Sequence, residues 1–341
     1  MEGERAISQS GFASLAARTR GQLRTAVLKG GGVSLMRSMG SRGVRILLYH
    51  RFSTFAQESL AAQCAHLRKH YHLVSLDEIA GWLRKGETLP KNSLAVTVDD
   101  GYRDFYQNAY PIFSAHQIPV TIFLATEFLD HRAWLWVDRV NYACEHTRVR
   151  AAKVRLGPED AREFRFLTHA QRRQAATSIR ESAKRLSNSE RLDLVADELP
   201  RLLKVDVPSV ATEEYEPLLW DEVREMSAHR IDFGAHTMTH PILSSLRDRE
   251  ALIREIEGSK HRIESELNKP VLHFSYPNGT WDDLHSDAVE VVKSASFSTA
   301  VVAQGGVNFR NADPFLLRRN TVEPESPELV FGRFATGFRR N

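Results

Sequence analysis

The chain has little of what disulfide-rich, membrane-spanning or nucleic-acid-binding proteins need. Its two cysteines, Cys64 and Cys144, lack the spacing of a zinc knuckle or a redox pair. It contains no run of about 18 apolar residues, so no spanning helix is expected. The 46 basic residues nearly balance the 43 acidic ones, which argues against nucleic acid as the main partner, because phosphates require a concentrated basic face.

Residues 1–43 form a basic N-terminal segment. Four basic residues interrupt the apolar residues of 12–35: Arg18, Arg20, Arg24 and Lys29. A secretory signal needs an unbroken apolar core, so we expect a cytoplasmic protein. The mixture of apolar and basic residues over 12–39 is consistent with an amphipathic helix, peripheral to the inner face of an anionic membrane. A helix packed on the main domain, or a loose leader, is the alternative.

Apolar, β-rich runs alternate with helical patterns from residue 44 onward. Strands are predicted at 44–49, 72–75, 93–98, 119–125, 231–235, 271–276 and 297–302. Helices are predicted at 57–70, 76–85, 101–116, 248–267 and 283–294. Alternation of this kind implies parallel strands joined by helices. We therefore predict an α/β fold, an irregular (β/α) barrel of about seven parallel strands, with an open doubly wound sheet as the alternative.

One region breaks this alternation and divides the main domain, 44–325, which a C-terminal tail at 326–341 follows. Residues 134–220 contain no convincing strand and are dense in charge and helix formers, so we predict a helical insertion. Trp136 could be a platform for a sugar ring, or it could anchor the insertion to the barrel. Our hypothesis is that the insertion forms a cap that shapes substrate access.

Two adjacent carboxylates, Asp99 and Asp100, follow the predicted strand 93–98. A parallel barrel carries its chemistry where strands end and loops begin. Two carboxylates cannot both enter a dry core without partners. Alone, the pattern is explained by an Asp-Asp-Gly turn that caps the next helix. The functional alternative is that one carboxylate binds a metal and the other acts as a base.

His236 and His240 follow the predicted strand 231–235. Histidines four residues apart share one face if the turn between them is helical, so both can reach one cation. With one carboxylate they make a two-His, one-carboxylate set that leaves positions open for water and substrate. The spacing alone is common on exposed surfaces, and its position after a strand is what favours a metal site.

Two more motifs end predicted strands. Pro277-Asn278-Gly279 is by default a turn, and a rigid turn at a barrel rim can aim backbone N–H groups at a developing oxyanion. His50 follows the first predicted strand. A single histidine is more often structural than catalytic, but this one falls at the same rim as the other motifs.

Jointly and in this order, these motifs resemble those of the polysaccharide deacetylase family, also called NodB-homology proteins or carbohydrate esterase family 4. The stretch 97–104 (TVDDGYRD) matches the first motif of the family, 236–241 (HTMTHP) matches the second, and 274–279 (FSYPNG) is similar to the third. The resemblance covers about 44–322, apart from the insertion. The Tyr49-His50 pair is similar to a branch that acts in exopolysaccharide and biofilm pathways.

The resemblance implies a hydrolase that removes N-acetyl groups from an amino sugar in a polysaccharide or in its lipid-linked precursor. Asp100, His236 and His240 would bind a divalent metal, with zinc as the expected ion because of the histidines. Asp99 would be the general base that deprotonates the attacking water. The metal and the backbone N–H near Asn278 would stabilise the tetrahedral oxyanion.

The sequence departs from the common family pattern in two places. Many members take the general acid from a late Leu-x-His motif, whereas residues 316–320 read Leu-Leu-Arg-Arg-Asn. The arginine that often opens the third motif is also missing. We therefore predict His50 as the general acid, with Asp282 and Asp283 as candidate orienters of His50 or of the base. The predicted oxyanion or substrate contacts are Tyr276, Pro277, Asn278, Gly279, Tyr102, Trp136 and Asp282.

Two other functions fit the same residues. A metal-dependent amidase acting on another small amide would use the same chemistry, since fold and metal set do not fix the substrate. A non-catalytic relative that binds glycan is the second alternative. The presence of Asp99, Asp100, His236 and His240 argues against loss of catalysis, because a decayed relative would be expected to lack one of them.

Overall fold

The computed structural model describes residues 31–131, 134–157 and 159–338. Its strands are β1 (Arg45–Tyr49), β2 (His72–Leu73), β3 (Ser93–Val98), β4 (Val120–Leu124), β5 (Ala151–Arg155), β6 (Ala161–Arg165), β7 (Ile231–Ala235), β8 (His273–Ser275), β9 (Thr299–Val302), β10 (Leu317–Arg318) and β11 (Asn320–Thr321). Its α-helices are α1 (Val33–Met39), α2 (Gln57–His70), α3 (Leu76–Arg84), α4 (Tyr110–Ala115), α5 (Thr126–His131), α6 (Trp136–His146), α7 (His169–Ala183), α8 (Asn188–Asp193), α9 (Leu199–Leu203), α10 (Trp220–Ser227), α11 (Arg249–Leu267), α12 (Ser286–Ser294) and α13 (Glu328–Ala335).

The main sheet is parallel throughout, in the order β10-β9-β8-β7-β4-β3-β1-β11, with β2 added beside β3. Every residue of β1, β3 and β4 is buried, as expected for parallel strands with helices on one face and a packed interior on the other. The predicted strands all correspond to strands of this sheet, and the predicted (β/α) barrel is confirmed. A short motif with polar residues follows the carboxyl end of each of the strands β1, β3, β7 and β8.

The segment that nearly closes the barrel was not predicted as a strand. β10 pairs with β9, and β11 pairs with β1, although only Arg319 separates these two short strands along the chain. One extended segment therefore bridges the two edges of the sheet. Its four strand residues are too few for a recognisable period, and four of the five residues at 317–321 are polar.

The predicted helices are present, with one irregularity. Residues 101–116 form a wide π-type turn at Phe105–Ala109 before α4 begins. Pro111 explains the break, because it has no N–H to donate to the carbonyl one turn earlier. α3 begins with a capping box, in which Ser75 and Glu78 satisfy each other's backbone N–H groups.

The insertion at 134–220 is mostly helical but is not strand-free, and in that respect the prediction was wrong. β5 and β6 form an antiparallel hairpin. In β5 only Ala152 and Val154 are buried, between exposed alanine, lysine and arginine residues, and β6 is almost entirely exposed. So weak an apolar alternation is hard to detect in the sequence. The insertion has its own buried apolar cluster, which Ile242 joins from the barrel side.

Both ends of the described chain carry a helix. α1 has no buried residue, whereas α13 buries Phe331 and Ala335 in the main core. Residues 12–30 of the predicted amphipathic segment 12–39 lie outside the described residues. Contact of this segment with a membrane therefore stays a prediction. Within the described ranges, no helix combines the length and apolar character that crossing a membrane requires.

Candidate metal centre and active site

Asp99 and Asp100 are placed by the turn that follows β3. The backbone N–H of Asp99 donates to the carbonyl of Tyr49, which fixes the turn to β1. Asp100 has a left-handed backbone with φ of 74°, a conformation that asparagine and aspartate tolerate better than most residues. Gly101 follows with φ of 87°, and a Cβ there would lie 2.8 Å from Leu124. The strained turn therefore turns two buried carboxylates toward the rim of the barrel.

Asp100, His236 and His240 converge on one point. The Oδ1 atom of Asp100 lies 3.3 Å from Nε2 of His236 and 3.3 Å from Nε2 of His240. One ligand atom from each residue lies within 4.8 Å of the others. Tetrahedral zinc with bonds of about 2.0–2.1 Å separates its ligand atoms by roughly 3.3 Å. The three side chains thus have both the chemistry and the spacing of a divalent-metal site.

The loop that carries His236 and His240 is not helical, although the sequence argument required a helical turn between them for both to reach one cation. Thr237 and His240 have φ of 67° and 57°, and a β-branched threonine in this region is an uncommon conformation. One carboxylate oxygen of Glu255 on α11 accepts the backbone N–H groups of Met238 and Thr239, both at 2.9 Å. This anchored, strained loop brings the histidines together without a helical turn.

Ser275, at the end of β8, holds two other residues of the site. Its backbone carbonyl accepts a hydrogen bond at 2.7 Å from Nδ1 of His236, which leaves the Nε2 lone pair for a metal. Its hydroxyl donates to Oδ2 of Asp99 at 3.1 Å. The third motif therefore orients both a predicted metal ligand and the predicted base.

Asp99 forms a forked ion pair with Arg319. The guanidinium donates to the two carboxylate oxygens at 2.6 and 2.7 Å, and Arg319 is fully buried. Burial raises the pKa of Asp99, but the charges of Arg319 and His236 outweigh burial and lower it below the ordinary value. Asp99 is therefore ionised at neutral pH, as a general base must be.

Burial also raises the pKa of Asp100. Hydrogen bonds from His236 and His240 lower this pKa by more than burial raises it, so it lies well below its usual range. The pKa of His236 is shifted in the opposite direction. Burial lowers it, but Asp99 and Asp100 raise it above the ordinary value. The carboxylates of Asp99 and Asp100 therefore favour positive charge at the place where the three residues converge.

The turn at Pro277-Asn278-Gly279 offers one free backbone donor. The N–H of Tyr276 donates to Val301, the N–H of Gly279 donates to Pro277, and proline has none. The backbone N–H of Asn278 has no acceptor in the described part of the chain, and its Nδ2 is buried without a partner. Tyr276 is buried, and its hydroxyl donates to the carbonyl of Phe315, so its side chain belongs to the core.

His50 is half-buried at the end of β1. An electrostatic interaction with His50 lowers the pKa of Asp99, Asp100 and Glu323, and His50 follows β1 at the same end of the sheet as the two aspartates. Asp282 is exposed on a 3-10 turn. Within the described ranges no hydrogen bond or ion pair links Asp282 to His50 or Asp99, and its role stays a prediction.

Tyr102 and Trp136 join the barrel to the insertion. The hydroxyl of Tyr102 donates to Asp138 on α6, and the guanidinium of Arg51 lies 4.1 Å from the centre of the Tyr102 ring. Burial raises the pKa of Asp138 to about 7. Trp136 is buried and contributes to the core of the insertion.

Sequence reasoning missed three residues of this site: Arg319, Ser275 and Glu255. The third motif lacks the arginine that often opens it. Because a buried carboxylate base still needs a cation beside it, this absence was a signal that another arginine, here Arg319, takes that place. Ser275 stood within the third motif but was given no role. Nothing in the sequence connects Glu255, in the middle of a long helix, to a loop that lies before it.

Comparison with known proteins agrees with this geometry. A family model described as polysaccharide deacetylase matches residues 86–298. The poly-beta-1,6-N-acetyl-D-glucosamine N-deacetylase of Escherichia coli (strain K12) is 39% identical over 70 residues, which are 20% of this chain and 10% of that protein. The chain therefore matches about a tenth of the length of this curated relative.

Solved structures show the same fold at low sequence identity. The structure of IcaB from Ammonifex degensii has a TM-score of 0.56 and 18% identity, covering 86% of this chain and 97% of that one. The Streptococcus pyogenes deacetylase PplD, in complex with acetate, has a TM-score of 0.55 and 16% identity, covering 84% and 95%. Because the family model spans more than half of the sequence, the chain belongs to the polysaccharide deacetylase family, whose members are hydrolases of non-peptide carbon–nitrogen bonds.

Proposed function

We propose that this protein is a metal-dependent deacetylase that removes N-acetyl groups from an amino sugar in a polysaccharide or in its lipid-linked precursor. One observation carries the proposal. A carboxylate held by a buried arginine, Asp99, lies next to a carboxylate that converges with two histidines. A base and a cation site side by side are what hydrolysis of an unreactive amide requires.

Asp100, His236 and His240 would hold the divalent cation, with zinc as the proposed ion. When bound, such an ion polarises the acetyl carbonyl and increases the acidity of water. The chain contributes the fixed orientation of the ligands. Ser275 sets the tautomer of His236, and Glu255 holds the loop that leads to His240.

Asp99 would take the proton from the attacking water. Its Oδ1 accepts one hydrogen bond from Arg319, and a carboxylate oxygen can accept more than one, so it keeps a site for the incoming proton. The fork from Arg319 and the Ser275 hydroxyl hold the carboxylate in one orientation. That preorganisation lowers the entropy lost in reaching the transition state.

The free N–H of Asn278 is the proposed donor to the oxyanion that forms when water adds to the acetyl carbon. His50 is the proposed general acid. It would protonate the nitrogen as the carbon–nitrogen bond breaks, which releases the amino sugar and acetate. Its place at the end of β1 and its electrostatic interaction with Asp99 and Asp100 support this role.

The E. coli relative suggests oligomers of β-1,6-linked N-acetylglucosamine as the first substrate to test. The assay is acetate release by the purified full chain, with and without a chelator, and after zinc is restored. The proposal predicts release that the chelator abolishes and zinc restores. Metal-independent release would exclude the proposed mechanism, and bound metal without release from any N-acetylated saccharide would favour an amidase or a glycan-binding relative.

The general acid is tested with His50→Ala. This variant should keep its metal, because His50 is not among the three converging residues, and should lose most of its turnover. General acid–base groups typically contribute about 10²–10⁴-fold. Turnover close to that of the wild type would remove His50 from this role.

A further inference from the structure

A cavity of about 240 Å³ lies between the barrel and the insertion, beside the metal centre. The barrel contributes Phe128 of α5 and the loop residues His240 and Pro241. The insertion contributes Trp134, Trp136 and Arg191. The residues that line the cavity therefore include three aromatic residues, a predicted metal ligand and an arginine.

Arg191 is a buried cation without a carboxylate partner. It is 1% exposed, and among the described residues no carboxylate lies within ion-pair distance of it. Its three hydrogen bonds go to neutral acceptors, the carbonyl of Leu186 at 3.3 Å, Oδ1 of Asn188 at 2.7 Å and the Ser245 hydroxyl at 3.2 Å. The guanidinium carbon also lies 5.5 Å from the centre of the Trp136 ring. A buried charge without an ion-pair partner is costly, so an anion bound beside Arg191 would stabilise it.

Three buried nitrogen atoms of residues that line this cavity have no hydrogen-bond partner in the described structure. They are Nε of Arg191, Nε1 of Trp136 and Nδ1 of His240. Arginine and tryptophan nitrogens are donors only, and Nδ1 of His240 carries the proton when Nε2 is a metal ligand. Buried donors are rarely left unpaired in proteins, so the cavity is suited to a ligand rich in acceptors.

The charge around the cavity is consistent with an anion. Burial lowers the pKa of Arg191 to about 10, with Asp283 opposing the shift from a distance, so the guanidinium stays charged at neutral pH. Glu127 is the carboxylate among the lining residues. Its side chain is 38% exposed and lies 3.9 Å from His131, so it does not neutralise the buried guanidinium.

We propose that this cavity binds an anionic substituent of the substrate, a carboxylate or a phosphate on a sugar next to the acetylated unit, through Arg191. This inference rests on the proposed function for the saccharide nature of the substrate. The anion would accept the free N–H of Arg191 and that of Trp136, while the aromatic walls contact the sugar ring. An acidic sugar in the polymer would supply the carboxylate, and a lipid-linked or nucleotide-linked precursor would supply the phosphate.

The test compares two pairs of probes by calorimetric titration of the metal-loaded full chain. One pair is an N-acetylglucosamine tetramer and a tetrasaccharide of alternating N-acetylglucosamine and glucuronate. The other is N-acetylglucosamine and its 1-phosphate. The proteins are wild type, Arg191→Met, Arg191→Lys and the control Arg201→Met, whose guanidinium is exposed on α9 and pairs with Asp197.

Wild type and Arg201→Met should bind at least one acidic probe about tenfold or more tightly than its neutral counterpart, since charge-assisted hydrogen bonds are the strong ones. Arg191→Met should lose this preference without weakening binding of the neutral probe, and Arg191→Lys should keep part of it. The pair that shows the preference identifies a carboxylate or a phosphate. Equal binding of acidic and neutral probes by wild type, or an undiminished preference in folded Arg191→Met, would overturn the proposal.

Binding and catalysis are measured separately, so the two proposals fail in different ways. A preference for acidic probes without acetate release would leave the anion site in place and contradict the proposed deacetylation. Acetate release without any preference would do the reverse. Thermal unfolding of each variant shows whether Arg191→Met folds, and Arg191→Gln is a second neutral variant that keeps polar atoms at this position.

Discussion

Replacing Arg319 by methionine removes the cation that holds the proposed base. Methionine is long enough to fill much of the space of the arginine stem, but it leaves the buried carboxylate of Asp99 with the Ser275 hydroxyl at 3.1 Å. The ion pair is fully buried on the arginine side. Solvent therefore cannot replace the lost interaction, and Asp99 has to protonate or to stay charged at a cost.

The size of the effect follows from the pKa of Asp99. Loss of an adjacent opposite charge raises a carboxyl pKa by about 1–3 units. At 1.36 kcal/mol per unit, keeping Asp99 ionised in the variant costs about 1.4–4 kcal/mol. This range overlaps the cost of roughly 3–5 kcal/mol for breaking a buried ion pair by removing one partner.

The sign of the pH dependence differs between the two proteins. In the wild type the folded pKa of Asp99 is lowered, so its contribution to stability is present above the unfolded pKa and is lost as pH falls through the folded pKa. In Arg319→Met the folded pKa is expected to lie above the unfolded value of about 4. The variant should then lose stability as pH rises through that folded pKa, and the stability gap should widen upward from about pH 4.

Two measurements check this prediction. The first is chemical denaturation of the two metal-free proteins between pH 4 and pH 8. The difference in unfolding free energy between wild type and Arg319→Met should reach about 1.4–4 kcal/mol at pH 8. The pH profile of kcat/KM for metal-loaded protein should show its acid limb at higher pH in Arg319→Met. Arg318→Met is the matched control, because this neighbouring side chain is exposed and lies over Trp281. A pH-independent gap and an unmoved acid limb would refute the assigned role of Arg319.

Three further substitutions test separate parts of the structure. Ser275→Ala should keep metal affinity, because the carbonyl remains, but lower kcat by about tenfold or more through loss of the hydroxyl bond to Asp99; metal titration and acetate release measure the two effects. Glu255→Ala should weaken metal binding by about 10–100-fold, as substitutions behind metal ligands do; unchanged affinity would show that the loop needs no anchor. Gly234→Ala should lower the free energy of unfolding by about 1–3 kcal/mol, measured with denaturant, because its Cβ would lie 2.5 Å from the ring of Phe123.

The barrel and the metal site could be predicted because their signals are local. β1, β3 and β4 are predominantly apolar runs, and the polar residues that follow β1, β3, β7 and β8 meet because parallel strands end at one rim. Asp100, His236 and His240 each stand directly after a strand or one turn later. The positions of strand ends therefore placed the two aspartates and the two histidines at one rim, and the family resemblance assigned Asp100 rather than Asp99 to the metal.

The remaining parts depend on contacts that no local pattern encodes. Arg319 reaches Asp99 across 220 residues, from a segment whose strand character is visible only when β1 and β9 pair with it. The β5–β6 hairpin carries a weak alternation because much of its surface is solvated. The geometry at His236 and His240 arises from left-handed residues and from Glu255, so the two histidines converge without the helical turn that the spacing argument set as its condition.

The most direct test of the account is to measure metal content and acetate release in the same samples of wild type, Asp99→Asn and His236→Ala. The account predicts that Asp99→Asn keeps a stoichiometric metal but releases acetate at least about 10²-fold more slowly, and that His236→Ala loses both metal and activity. Acetate release at the wild-type rate by Asp99→Asn, or metal-loaded and active His236→Ala, would contradict the separation of base and metal ligands on which the proposed function depends.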